Sequence, residues 1–324
     1  MKMRMAIIGA GSIAEKMSDT IKGLENVEAY AIAARDYERA AEFAKKHGFT
    51  EAYGSYIDML RDDKVDLVYI ATPHSHHYDH VKLCLEYNKN VLCEKSFTVN
   101  AVQAEELFQI AESRGLLLTE AIWTRYMPSR KMIDDVIASG VIGTPTSLVA
   151  NLGYNISQKE RLMTPKLAGG ALLDLGIYLL HFASMVFGKE VETITSAASI
   201  TESGVDGTDS ITMIFRDGKM AVMHSSMLAN LDRRAVIFGT KGYLNIQNLN
   251  NPEKLTVYDE NHKEISVYYP PKQITGYEYE VLACLKAIEN STVECEEMPH
   301  AETIRIMKMM DEIRAQWGYE IETE

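Results

Sequence analysis

The stretch Met5-Ala6-Ile7-Ile8-Gly9-Ala10-Gly11-Ser12-Ile13-Ala14 decides the fold. An apolar run ends in a glycine pair and passes straight into a segment with helical spacing. Gly9 permits a tight turn, Gly11 lets the backbone approach a bulky anion, and Ala14 is small enough for a helix to pack on a strand. The start of that helix offers free amide groups and the positive end of its dipole. A bare G-x-G-x-x-A recurs by chance. Placed between a strand and a helix, it predicts a dinucleotide pyrophosphate site that includes Ser12 and Ile13.

Outward from this turn, short apolar runs at 5–8, 29–33, 67–71, 90–93 and 116–119 alternate with helical patterns near 13–22, 37–47, 77–87 and 101–114. Such alternation implies βαβ units and a parallel sheet. The runs are apolar throughout, as expected of strands covered by helices on both faces. The second run ends Ala33-Ala34-Arg35-Asp36. An NAD site usually places a carboxylate at this tip to bind the ribose 2′-hydroxyl. Here Ala34 and Arg35 stand there, and a guanidinium suits a 2′-phosphate and the adenine face. NADP is therefore expected ahead of NAD. The plainer alternative leaves Arg35 solvated and turns Asp36 to the ribose.

After about residue 120 the pattern changes. A helix follows Pro128, a strand follows Pro145, and an apolar helix spans 171–187. A run of strands from 190 to 269 carries hairpin signals at Asp217-Gly218 and Lys241-Gly242. An antiparallel or mixed sheet fits this region, and helices near 277–289 and 301–316 close the chain. The expected domains are thus 1–120, a dinucleotide-binding Rossmann domain with a doubly wound parallel sheet, and 121–324, an α/β domain with a mostly antiparallel sheet.

The chain has 324 residues, enough for two hydrophobic cores, and a formal net charge of −13. With no basic run, nucleic acid is a poor partner. Cys84, Cys93, Cys284 and Cys295 form no metal-ligand spacing and suit reduced thiols in a cytoplasm. The apolar stretch at 167–187 contains Asp174 and His181, so it reads as a buried helix, and no membrane association is expected.

Three further segments complete a resemblance. They are Ala71-Thr72-Pro73-His74-Ser75-His76-His77, Asn90-Val91-Leu92-Cys93-Glu94-Lys95, and Gly169-Gly170-Ala171-Leu172-Leu173-Asp174-Leu175-Gly176-Ile177-Tyr178. Together with the glycine turn they resemble the Gfo/Idh/MocA oxidoreductases, named for glucose–fructose oxidoreductase and inositol dehydrogenase. The segment Glu120-Ala121-Ile122-Trp123-Thr124-Arg125-Tyr126-Met127-Pro128 is most similar to the branch of dimeric dihydrodiol and NADP-linked D-xylose dehydrogenases. The resemblance implies a second domain with a large open sheet, substrate on one face and often a dimer contact on the other. It also implies hydride transfer between the nicotinamide and a sugar, polyol or related diol. Thr72, Pro73 and Glu94 would then line the cofactor crevice, and His77 would lie near the nicotinamide ribose. Trp123 and Arg125 would border the substrate; the bland alternative is a core tryptophan and a surface arginine.

Oxidising a secondary alcohol needs a base for the hydroxyl proton. A tyrosine serves if a nearby ammonium favours its phenolate. Lys95 ends a strand in the cofactor crevice. Asp174 and Tyr178 are four residues apart and share a helix face that His181 extends. In the family's dihydrodiol-like branch tyrosine stands at position 178. Tyr178 is accordingly expected to move the proton, Lys95 to hold the substrate oxygen, and Asp174 to orient both. The bland alternatives are a charge paired with an arginine for Asp174 and a core aromatic for Tyr178. The family's lysine usually precedes proline, whereas Ser96 follows here. Either the Lys95–Ser96 bond is trans and Lys95 is aimed differently, or a costly non-proline cis bond is kept.

His74, His76, His77 and His80 lack a matching carboxylate or cysteine motif, so no metal is expected. Two other functions fit the same fold: a redox-neutral glycosidase holding NAD, and a non-catalytic nucleotide-sensing regulator. Arg35 and the 120–128 segment disfavour the first. Lys95, Asp174 and Tyr178 disfavour the second.

Overall fold

A computed structural model describes residues 2–319 and 321. The chain divides into two compact units, one comprising residues up to Tyr126 with Gln273–Arg305, the other Met127–Lys272 with the residues after Arg305.

The first unit contains β1 (Met3–Ile8), β2 (Val27–Ala33), β3 (Glu51–Tyr53), β4 (Leu67–Ile70), β5 (Asn90–Glu94) and β6 (Leu118–Ala121). They form one sheet in the order β3-β2-β1-β4-β5-β6, every neighbouring pair parallel. This is the dinucleotide-binding strand order, whose direction of winding reverses between β1 and β4. Helices Ser12–Lys22, Tyr37–His47, His77–Glu86 and Ala101–Arg114 connect the strands. Their ends follow local chemistry. Asp36 and Asn100 cap the helices at 37 and 101 by accepting amide hydrogen bonds from Arg39 and Gln103, and Gly48 and Gly115 close them in the left-handed conformation.

The division falls at Tyr126, a few residues past the expected boundary near 120, and the first unit also takes in a second chain segment, Gln273–Arg305, which the expected domain 121–324 assigns to the other unit. The Leu118 amide donates to the Val293 carbonyl at 3.0 Å. Trp123 stacks on Tyr277 with ring centroids 4.4 Å apart. Arg125 donates to Glu302 at 2.9 Å and to the Glu297 carbonyl at 3.0 Å. These contacts tie residues 121–126 and 273–305 to the first unit.

The second unit contains β7 (Pro145–Gly153), β8 (Val191–Ile200), β9 (Asp206–Phe215), β10 (Met220–Ser226), β11 (Ala235–Gly239), β12 (Gly242–Gln247), β13 (Lys254–Asp259) and β14 (Glu264–Tyr268). Their order is β14-β13-β12-β11-β7-β10-β9-β8. Only the β7–β10 pair is parallel; the others run antiparallel, including the hairpins turned by Asp217-Gly218 and Lys241-Gly242. The apolar stretch at 172–187 is a buried element of this unit. It opens as a five-residue π-helical turn, Leu172–Gly176, and continues as the α-helix Ile177–Phe187.

Candidate functional site

The glycine turn joins β1 to the helix Ser12–Lys22. Gly9 has φ +100°, and a Cβ there would stand 2.9 Å from the Ala71 carbonyl oxygen. Only glycine fits that conformation at that distance. Gly11 is the helix N-cap without a side-chain cap, and the space in front of its Cα is open. The first amides of a helix, here from Ser12 onward, have no intrahelical acceptor. Ala14 is completely buried. The cradle therefore fits a dinucleotide pyrophosphate.

At the tip of β2, Ala34 is buried and Arg35 is exposed. The Asp36 carboxylate is taken up as a helix cap by the Arg39 amide at 3.0 Å. Arg39, which the sequence reading did not single out, extends its guanidinium to the Ala10 carbonyl inside the glycine turn at 2.7 Å. Its signal was positional: a second arginine one turn after Arg35 on a helix that starts at the crevice.

Beyond β4, Thr72 Oγ1 and His80 Nδ1 lie 3.0 Å apart. Burial, with His76, His77 and Arg35 nearby, pushes the His80 imidazole down to about 4. His77 is fully buried and spans two carbonyls, Thr72 O at 2.9 Å from Nε2 and Ser96 O at 2.7 Å from Nδ1. A neutral imidazole can donate only one such bond and an imidazolium both. His77 thus braces the loop after β4 against the residue following Lys95. The histidines are used in packing and bracing, and among the described residues no cluster of three metal-ligating side chains occurs.

Lys95 directly follows β5, and the Lys95–Ser96 peptide bond is cis. Of the two alternatives left open by Ser96, this is the cis one. Glu94 is buried and accepts a short hydrogen bond from the Tyr69 hydroxyl. Burial and the Glu94 charge hold the Tyr69 phenol well above its ordinary value, so it stays a donor. Glu120, also unforeseen, anchors the segment after Lys95. Its carboxyl accepts the Phe97 amide and the Thr303 hydroxyl, each at 3.1 Å. Burial lifts it to about 7 against these bonds and the nearby Arg125 and Lys95 charges. Trp123 is a buried, stacked tryptophan, and Arg125 is a mostly buried arginine paired with Glu302 rather than a surface one.

In the second unit, Asp174 lies on the π turn and Tyr178 on the first turn of the following helix. π-helical turns recur at functional sites. Both side chains are buried, and Arg161 Nη2 stands 3.5 Å from Asp174 Oδ1, the arginine partner foreseen as the bland alternative. His181 is completely buried one turn further on.

A glycine cradle on a 3-2-1-4-5-6 parallel sheet, joined in one chain to an antiparallel-sheet unit, defines a nicotinamide-nucleotide oxidoreductase. Residues 3–122 match the oxidoreductase family with NAD-binding Rossmann fold, and residues 131–245 match the GFO/IDH/MocA C-terminal domain. The chain belongs to the Gfo/Idh/MocA family. It is 36% identical over 331 residues to trans-1,2-dihydrobenzene-1,2-diol dehydrogenase of Mus musculus, covering 98% of both chains. The Homo sapiens protein of that name is 35% identical over 329 residues, with the same coverage. Among solved structures, KijD10, a 3-ketoreductase from Actinomadura kijaniata in complex with NADP and TDP-benzene, superposes with a TM-score of 0.90 at 24% identity over 98% of each chain. Levoglucosan dehydrogenase in complex with NADH and levoglucosan gives 0.86 at 18% identity over 98% of this chain and 97% of that one. The chain is accordingly a dehydrogenase-type oxidoreductase acting on CH–OH groups.

Proposed function

We propose that the protein is an NADP-dependent dehydrogenase that oxidises a secondary alcohol of a cyclic diol, sugar or polyol. The end-to-end likeness to dehydrogenases named for a trans-diol, 36% identity over 98% of both chains, carries this reading. NADP is favoured because the Asp36 carboxylate, just past the tip of β2, caps the following helix while Arg35 is exposed with Arg39 one turn away. Gly9, Gly11, Ser12 and Ile13 would hold the pyrophosphate, and Ala34, Arg35 and Arg39 the adenosine end. Thr72, Pro73, His77, Glu94 and Lys95 would border the nicotinamide half.

The bound nucleotide would accept the hydride from the carbinol carbon. Lys95 would stabilise the substrate oxygen as it loses its proton, Tyr178 would take that proton, and Asp174 would orient the hydroxyl groups. Trp123, Arg125 and His181 would shape the surroundings. Burial of Asp174 and Tyr178 supports these roles, because a water-poor setting strengthens each charge–dipole contact. Reduction of NADP, followed by nicotinamide absorbance over a panel of trans-dihydrodiols, D-xylose and other aldoses, tests the reading. Failure to reduce nucleotide with any of them overturns it.

A cytoplasmic location fits the four cysteines, all free and buried. A homodimer fits the uncovered face of the second sheet. There Val236, Val149 and Val222 stand side by side on β11, β7 and β10, and Phe238 and Met220 flank Ser147 in the adjoining row. Val149, Val222, Met220 and Phe238 are exposed, a continuous apolar stripe suited to an identical copy. Val149→Lys is expected to shift the protein from dimer to monomer in sedimentation; a wild type that sediments as a monomer contradicts this.

A further inference from the structure

The π turn Leu172–Gly176 is hydrogen-bonded at its start to one carboxyl group of β9 and packs at its far end over a second. At its start, Asp206 Oδ2 accepts the Leu172 amide at 2.6 Å, and the Ala171 amide also donates to this carboxylate. Gly170 precedes the turn with φ +118°, and a Cβ there would meet Asp206 Oδ1 at 2.0 Å, so the backbone lies directly on the carboxylate. At the far end, Asp209 Oδ2 accepts the Ser225 hydroxyl at 2.6 Å. That pair sits beneath Gly176, 3.7 and 3.6 Å from the position its Cβ would take. Both aspartates are at least nine-tenths buried, and Asp209 Oδ1 has no hydrogen-bond partner.

A π turn carries one residue more than an α turn, and it stays wide only while its surroundings hold it. Relaxing it to α would shift the residues before it by one position, about 100° of helix rotation, relative to those after it. Asp174, which lies within the turn, would then stand at a different angle to Tyr178 four residues on. We propose that Asp206 and Asp209 are positioning residues that clamp the π turn and set the direction in which it presents Asp174 and Tyr178. This rests on the reading of Asp174 and Tyr178 as the proton-handling pair.

The charges around the clamp give it a pH dependence. Asp206 faces Arg314 on the last helix and Tyr319 beyond it, and Arg314 is paired in turn with Asp311. Asp209 faces Asp206 on its own strand, Ser225 on β10 and the backbone at Gly176. Burial and then the Asp206 charge push Asp209 up to about 8. Below that pH, Asp209 is a neutral acid; above it, a second negative charge appears beside Asp206 with one oxygen unpartnered, and the clamp loosens.

The test uses the full-length enzyme with saturating NADP and the best substrate from the panel above. Variants Asp206→Ala, Asp209→Leu, Asp209→Asn and Tyr178→Phe are compared by kcat, KM, NADPH affinity, melting temperature and a pH profile. Misaiming a reacting group costs about a hundredfold in rate. Asp206→Ala and Asp209→Leu are expected to lose about that much kcat while binding NADPH normally, since the nucleotide cradle is on the other unit. Asp209→Asn, which stays neutral and keeps the shape, is expected to recover most of the loss seen with leucine. It should also lack the decline in kcat that the wild type shows above about pH 8. An Asp209→Asn profile with the wild-type decline, or an Asp206→Ala enzyme that folds and keeps its kcat, overturns the proposal. If Tyr178→Phe also keeps full kcat, the parent reading has failed; if Tyr178→Phe is inactive, only the clamp has.

Discussion

Replacing Gly9 with alanine probes the cofactor cradle most sharply. The turn is locked on both sides: the Gly9 amide donates to the Ala33 carbonyl at 2.9 Å, and the Ala71 amide donates to the Ile8 carbonyl at the same distance. A methyl at Gly9 would lie 2.9 Å from the Ala71 carbonyl oxygen and 3.2 Å from Thr72 Cγ2. An L-residue in left-handed backbone costs about 1–2 kcal/mol. Forcing a methyl into a packed position costs about 1–3 kcal/mol more. The turn relieves this by moving away from Ala71 and out of register with the pyrophosphate. If about 2–4 kcal/mol falls on binding, affinity drops roughly 30- to 1,000-fold, at about 1.4 kcal/mol per tenfold. Fluorescence titration with NADPH and NADH, beside a thermal melt, reads both destinations of the strain. An alanine variant that binds both nucleotides within twofold of wild type, with an unchanged melt, refutes the reasoning.

Arg35→Ala is expected to weaken NADPH binding about 10- to 100-fold, the value of a charge-assisted bond to phosphate, and to leave NADH binding unchanged in the same titration. Equal losses for both nucleotides contradict the 2′-phosphate role. Tyr178→Phe is expected to lower kcat about 10²- to 10⁴-fold with KM little altered, and a rate within threefold of wild type rejects the tyrosine as the proton acceptor. Stability should fall as pH rises from about 5 to 8. Burial lifts Glu120 to about 7, Asp206 to about 6, and Asp209, with the Asp206 charge, to about 8. Each folded value lies above the unfolded one, so the stabilisation is complete below about pH 4 and lost as pH climbs through the folded values. The effect is on the order of several kcal/mol, and a melting temperature that rises steadily from pH 5 to 8 contradicts it.

The first unit was legible because its signals are local. The strands are apolar runs, and Asp36, Gly48, Asn100 and Gly115 mark two helices to the residue. The edge strand Glu51–Tyr53 went unseen because three residues, one of them an exposed glutamate, carry no period. The return of 273–305 to the first unit rests on tertiary contacts such as Trp123 on Tyr277, to which no local pattern points. The same contrast holds within the site. Gly9 and Gly11 act through their own backbone and were readable. The π turn was not, since the bond at its start comes from Asp206 on a distant strand, and 171–187 reads simply as an apolar helix. Glu120 likewise looked like part of a resemblance segment; only its bonds to Phe97 and Thr303 show that it anchors the chain after Lys95.

The central claim is that this chain moves hydride from a secondary alcohol to a bound nicotinamide nucleotide. The direct test incubates the enzyme and NADP with trans-1,2-dihydrobenzene-1,2-diol, and with the aldoses of the panel, each deuterated at its carbinol carbons. Mass spectrometry of both products then follows the label. One deuterium in the reduced nucleotide for each ketone or lactone formed is the predicted result. Turnover that leaves the nucleotide oxidised and unlabelled, or tight NADP binding with no turnover of any substrate, contradicts it.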